Sequence, residues 1–187
     1  MSSLIVAKTS AWKALAAAAV LGFAAASSAV HAAPTSGGGT VQGLYDALLV
    51  TMKSGRTLGQ SGRFTQLEPV IRRTFDIVSM ARLSVGPSWA SLSDGQRQQV
   101  TESFARYISA IYADRFDSYA GQKLQVTGEQ PAAAGVMVKS QIIKASGEPV
   151  NVDYMMRRNG DTWLISDITL TARSVRWRPV APNSGLS

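Results

Sequence analysis

The chain has no cysteine and a single histidine, His31. Without thiols there are no disulfides, no thiolate metal sites and no cysteine nucleophile. His31 lies in a leader expected to be removed, so the processed protein would carry no imidazole either. That excludes His-ligated zinc or haem and any Ser-His or Cys-His machinery. Charge is also sparse, at 17% of residues, and biased, with 12 acidic against 19 basic residues. Beyond the leader no apolar run is long enough to span a bilayer. What is present is 45% hydrophobic residues in 187 positions. That is enough for one packed domain and too much for wholesale disorder.

Residues 1–32 read as a secretory signal peptide. Lys8 and Lys13 form a basic start without acidic residues, and residues 14–26 are apolar but short for a span. Val30-His31-Ala32 offers small residues around a cut before Ala33. The expected compartment is therefore outside the cytoplasm. Losing Lys8 and Lys13 takes the formal charge from +7 to +5. Residues 33–40, with Pro34 and Gly37-Gly38-Gly39, read as a flexible leader.

Helical periodicity follows. Thr40 can cap a helix with apolar positions Val41, Leu44, Tyr45, Leu48, Leu49 and Met52, stopped near Lys53 and Gly55. Residues 59–62 read as loop and 64–75 as a shorter helix, with Pro69 in its first turn or bending it. Asp76 caps a helix over 77–83, and residues 85–89 form a turn carrying Trp89. The most pronounced stretch is 93–119. Ser93 and Gln96 have capping-box spacing. Val100, Phe104, Tyr107, Ile108, Ile111, Tyr112, Phe116 and Tyr119 recur at helical spacing, which predicts one apolar face. Gly121 suits the stop.

After Gly121 the period becomes two. Strands are predicted over 123–128, 136–142, 150–157 and 163–168. Residues 130–135 read as loop, residues 146–149 as a turn and Asn159-Gly160 as a hairpin turn. Helices that precede strands predict an α+β fold, with N-terminal helices packed on a four-stranded twisted antiparallel sheet. The domain is expected over 41–170.

The aromatic helix face is core or the lining of a ligand cavity. Tyr107, Tyr112, Tyr119 and Tyr154 bring hydroxyls that need partners, and Met137, Met155 and Met156 adapt to varied guests. Without His or Cys, catalysis would fall to Asp114, Asp117, Asp153 and Asp167 with Tyr or Lys, but their spacing matches no paired-carboxylate pattern. The glycine run precedes no strand-turn-helix phosphate motif. Arg72-Arg73 and Arg157-Arg158 are too sparse for a nucleic-acid surface and read as solvated, or as contacts for lipid head groups. No cofactor, metal or nucleic-acid partner is expected.

In its order of parts the chain resembles the MlaC, or toluene-tolerance auxiliary, family of periplasmic lipid-binding proteins. The residues that carry this are Leu92-Ser93 with Gln96-Arg97, the stretch 104–112, Tyr119-Ala120-Gly121-Gln122, the stretch 150–157, and Trp163 with Asp167 in the family's W-x-x-x-D spacing. Residues 81–89 look most like the hopanoid-associated HpnM branch. The resemblance implies an apolar pocket between helices and sheet that holds phospholipid or hopanoid. It also implies a soluble monomeric carrier working between an inner-membrane ABC transporter complex and an outer-membrane lipoprotein complex, without catalysis. Periodicity, rather than any family residue list, then selects the expected lining. From the helix come Phe104, Tyr107, Ile108, Ile111, Tyr112 and Phe116; from the sheet come Val138, Ile142, Val152, Tyr154 and Ile165.

The tail 171–187 departs from the family, because Pro179 and Pro182 oppose the helices expected there. A shift of reading frame is the hypothesis for it, and the gene sequence decides. Two other functions compete with the carrier: an enzyme on an α+β cone using Asp and Tyr, and a docking subunit with a filled core.

Overall fold

A computed structural model describes residues 36–171, so the expected signal peptide and the tail beyond Thr171 lie outside the described residues. Four helices precede four strands. They are α1 (Gly37–Lys53), α2 (Gly55–Thr74), α3 (Ile77–Val85) and α4 (Asp94–Arg115), with a 3₁₀ segment Gly86–Ser91 before α4. The strands β1 (Lys123–Ala132), β2 (Gly135–Ile143), β3 (Pro149–Asn159) and β4 (Thr162–Thr171) form one antiparallel meander in the order β1-β2-β3-β4. The α+β architecture expected from the change of period is the one observed.

The glycine run is not linker. Ser36 caps α1 by accepting from the Gly39 N–H, and Gly37 and Gly38 are buried in the first turn. The reason is steric. A Cβ on Gly37 would lie 2.9 Å from Val136 Cγ2 and 3.0 Å from Met156 Cγ, so only glycine lets the helix come this close to the sheet. Glu129 of β1 accepts from the Gly38 N–H at 2.7 Å, which sets a carboxylate at the positive end of α1. From that end α1 runs along the sheet and buries Val41, Leu44, Tyr45 and Leu48.

Residues 60–62, expected as loop, are helical; the break in α2 is confined to Gly59, at φ 61°. Pro69 sits well inside the helix, where the missing N–H costs one helical hydrogen bond. The junction after α2 is tied to β4: Phe75 bridges to Ile165, and the Asp76 N–H donates to the Ile165 carbonyl at 2.8 Å. Asp76 then caps α3 by accepting from the Ser79 N–H.

The Ser93–Gln96 capping box is formed. The helix it opens ends at Arg115 rather than near Tyr119. It packs on α2 and α3. Its fully buried positions are small, Ala105, Ser109 and Ala113, spaced by four. They give it a shallow groove in which to nest on its helical neighbours, while the large side chains fall to either side. Arg63 of α2, almost fully buried, locks the contact. Its guanidinium donates to the carbonyls of Ala113 at 2.7 Å and Gly55 at 2.8 Å. A cation at the carbonyl end of α4 is favoured by the helix dipole.

β1 and β2 run further into the expected loop 130–135 than the sequence suggested, leaving a short turn between Ala132 and Gly135. Two bulges reset the alternation. One falls between Val126 and Gly128 and brings Glu129 opposite the buried Val138. The other, at Ser166, puts Ile165 opposite Met156 and Ile168 opposite Tyr154, all on the inner face, and leaves Asp167 exposed.

Candidate functional site

The inner face of the sheet is unevenly covered. Under α1 the side chains of Val138, Val152, Tyr154, Met156 and Ile165 are fully buried. Towards the other end cover is lost: Ile142, Val150 and Ile168 are half-buried, and Leu170 is 64% exposed. Leu170 pairs with Val152 and Ile168 with Tyr154, so both face inwards. Among the described residues, an apolar inner surface is thus left open at the Ile142–Leu170 end.

Aromatic contacts run through the core to α4. Tyr45 meets Tyr154 edge-on at 6.0 Å between ring centres. Phe75 meets Tyr112 edge-on at 5.6 Å, and Tyr112 stacks on Phe116 at 5.5 Å. Tyr112 is half-buried and Tyr154 is buried. The Ser140 hydroxyl donates its one proton to the Val152 carbonyl, so Tyr45 must donate to Ser140, at 2.6 Å. Burial pushes the phenols of Tyr45, Tyr112 and Tyr154 above the usual tyrosine range. No buried side-chain polar atom among the described residues lacks a partner. The arrangement is an apolar surface beneath which Tyr45 and Ser140 pass one hydrogen bond on to the Val152 carbonyl.

The expected lining divides into three groups. Val138, Val152, Tyr154 and Ile165 are core, packed under α1 and out of reach of a guest without rearrangement. Phe104, Ile108, Tyr112, Phe116 and Ile142 are half-buried against that core, and Ile111 is half-buried as well. Tyr107 is a correction: it is 63% exposed, because its position on α4 lies well away from Ala105, Ser109 and Ala113. Tyr119, expected on the same face, lies beyond the helix and is also exposed. Val150, Ile168 and Leu170 were not in the expected lining. Val150 shares its predicted face with Val152 and Tyr154, whereas the facing of Ile168 and Leu170 depends on the bulge at Ser166.

Among the described residues, hollows of about 440, 400 and 350 Å³ are lined either by the helices or by the sheet, not by α4 and the sheet together. Two lie where α3 and the 3₁₀ segment meet α4, and the third lies on the sheet around Lys139 and Asp153. The acid–base candidates do not converge either. Asp153 forms a cross-strand ion pair with Lys139, while Asp114, Asp117 and Asp167 are exposed on other elements.

Among the described residues the protein is an α+β domain: helices on a meander, with an apolar inner face partly open and the acid–base candidates dispersed. The family model described as MlaC protein matches residues 42–174, and the chain belongs to that family. Among solved structures, it is similar to the phospholipid-binding protein from Ralstonia solanacearum in complex with a phospholipid. The TM-score is 0.63 at 24% identity, over 72% of this chain and 78% of that one. At that identity the likeness shows the shared fold.

Proposed function

We propose that this protein is a non-catalytic carrier that shelters a lipid, a phospholipid or a hopanoid, in the periplasm. It would receive the lipid from, or deliver it to, an inner-membrane ABC transporter complex and an outer-membrane lipoprotein complex. The single observation behind the reading is the open end of the inner sheet face among the described residues, where Ile142, Val150 and Ile168 are half-buried and Leu170 is exposed. Exposed apolar surface of this kind is costly in water, at about 25 cal/mol per Å². A hydrocarbon guest removes the cost. Membership of the MlaC family and the phospholipid bound to the Ralstonia protein support the same reading. The leader of residues 1–32 supports export.

Organic extraction and mass spectrometry of the protein purified from cells test this. Retained lipid, about one molecule per chain, is the expected result, and its headgroup or ring system identifies the cargo. Leu170→Asp with Ile168→Asp should abolish retention, whereas Asp114→Asn, Asp153→Asn and Asp167→Asn should leave it intact. Absence of lipid from every preparation, including after incubation with membranes, overturns the carrier reading.

A further inference from the structure

Asn151 and Asn159 both belong to β3, and their surroundings differ. Asn151 is half-buried, its Oδ1 accepts from Gln141 Nε2 at 3.1 Å, and the buried, branched Val152 follows it. Asn159 ends the strand at the tip of the β3–β4 hairpin and is exposed. Among the described residues its side-chain amide has no hydrogen-bond partner. Gly160 follows, also exposed, at φ 58°, with nothing within 4 Å of where a Cβ would stand. The Gly160 nitrogen is therefore open to the neighbouring side chain, where Val152 would crowd it. Two further groups are fixed around this peptide. The Thr162 hydroxyl donates to the Asn159 carbonyl at 2.9 Å, and Arg158 Nε donates to the Gly160 carbonyl at 3.2 Å. The Arg158 guanidinium also lies over the Trp163 ring, which holds its positive charge against the turn.

We propose that Asn159-Gly160 is a site of spontaneous deamidation, assisted by Thr162 and Arg158. The Gly160 backbone nitrogen gives its proton to solvent and attacks Asn159 Cγ. A C–N bond forms, and the side-chain nitrogen leaves as ammonia, so the residue closes into a succinimide. Water then opens the ring at either carbonyl, giving aspartate or isoaspartate. Water is the one co-reactant, and nothing is oxidised or reduced. When the nitrogen loses its proton, negative charge spreads onto the Asn159 carbonyl oxygen. A hydrogen bond to an anion is stronger than one to a neutral carbonyl, so the Thr162 hydroxyl favours the reactive form. The Arg158 cation acts in the same direction. The attack needs the turn to relax, and an exposed strand end is where local opening costs least. The product places a new carboxylate beside Asp161, and the isoaspartyl form adds a backbone carbon that disrupts the pairing of residue 159 with Thr162. The hairpin tip is separate from the open inner face, so this proposal does not rest on the carrier reading.

Incubation of the purified protein at neutral pH, followed by tryptic digestion and mass spectrometry against an unaged sample, tests it. Cleavage after Lys144, Arg157, Arg158 and Arg173 gives peptides 145–157 and 159–173, which report Asn151 and Asn159 separately. Peptide 159–173 should gain the mass of an amide exchanged for a carboxyl group, and split into aspartyl and isoaspartyl forms on chromatography. Peptide 145–157 should stay unchanged. Thr162→Val should slow the conversion about fivefold, the factor one hydrogen bond to a charged group brings. Thr162→Ser, which keeps the hydroxyl, should restore the parent rate, with circular dichroism confirming that both variants fold. In urea, where the turn is lost, Thr162→Val should have no effect. An unchanged peptide 159–173 overturns the proposal, as does equal conversion of the two peptides. A Thr162→Val rate equal to the parent's in the folded protein, or the same slowing in urea, overturns it too.

Discussion

α1 and α4 are both amphipathic helices, and the difference between them is in what their inner faces are made of. α1 has glycine where it first touches the sheet and large side chains thereafter, so its backbone approaches closely and Tyr45, Leu44 and Leu48 fill the space beyond. The fully buried positions of α4 are Ala105, Ser109 and Ala113. Small residues bring a helix close to another helix and push its large side chains to the margins, where Tyr112 reaches the core and Tyr107 reaches solvent. The longer helix, with the more conspicuous apolar repeat, therefore keeps its large side chains at the edge of the core, and the shorter one organises it.

The contrast can be broken hardest at Tyr45. Tyr45→Ala removes a buried ring, its edge contact with Tyr154 and the proton donor to Ser140, and should cost about 4 kcal/mol in urea unfolding. Next comes Gly37→Ala. The added methyl meets Val136 and Met156 inside contact distance, and a loss of about 1–3 kcal/mol is expected by the same measurement.

A third test is alkaline titration. Burial raises the phenol pKa of Tyr154, Tyr112 and Tyr45 above the ordinary 10.0, so the unfolded chain releases these protons first. The stability they contribute is full below pH 10.0 and is lost as pH rises beyond it through the raised folded values. Circular dichroism between about pH 9 and 12 should show unfolding that parallels tyrosinate absorbance at 295 nm. Independent titration of these phenols near the ordinary value, with the fold intact, contradicts the enclosed cluster. The smallest effect is expected for Tyr107→Ala, within about 0.5 kcal/mol of the parent; a larger loss would place that ring in the core after all.

Most of the secondary structure was legible, and for local reasons. Ser93 and Gln96 cap through contacts three residues apart, Asp76 caps through Ser79, and Asn159-Gly160 needs only its own backbone to turn. Of the expected lining, Tyr112, Phe116 and Ile142 lie half-buried against the core, as large apolar residues at the right period do. Tyr107, at the same period, is exposed, because helical spacing defines a broad face and not the neighbour it meets. Glu129, Arg63 and Leu170 were missed, since each acquires its role from a partner 91, 50 or 18 residues away, or from a bulge that changes the facing of a strand.

Composition and period alone settled that this chain has no thiol chemistry, that helices come before strands, and that the strands form a meander. These follow from residue types and from interactions within a few positions. Which helix covers the sheet was settled only in three dimensions, and with it which apolar residues are core and which are left open. That choice rests on the close approach at Gly37 and on the bulges at Thr127 and Ser166, whose consequences exist only once distant segments meet.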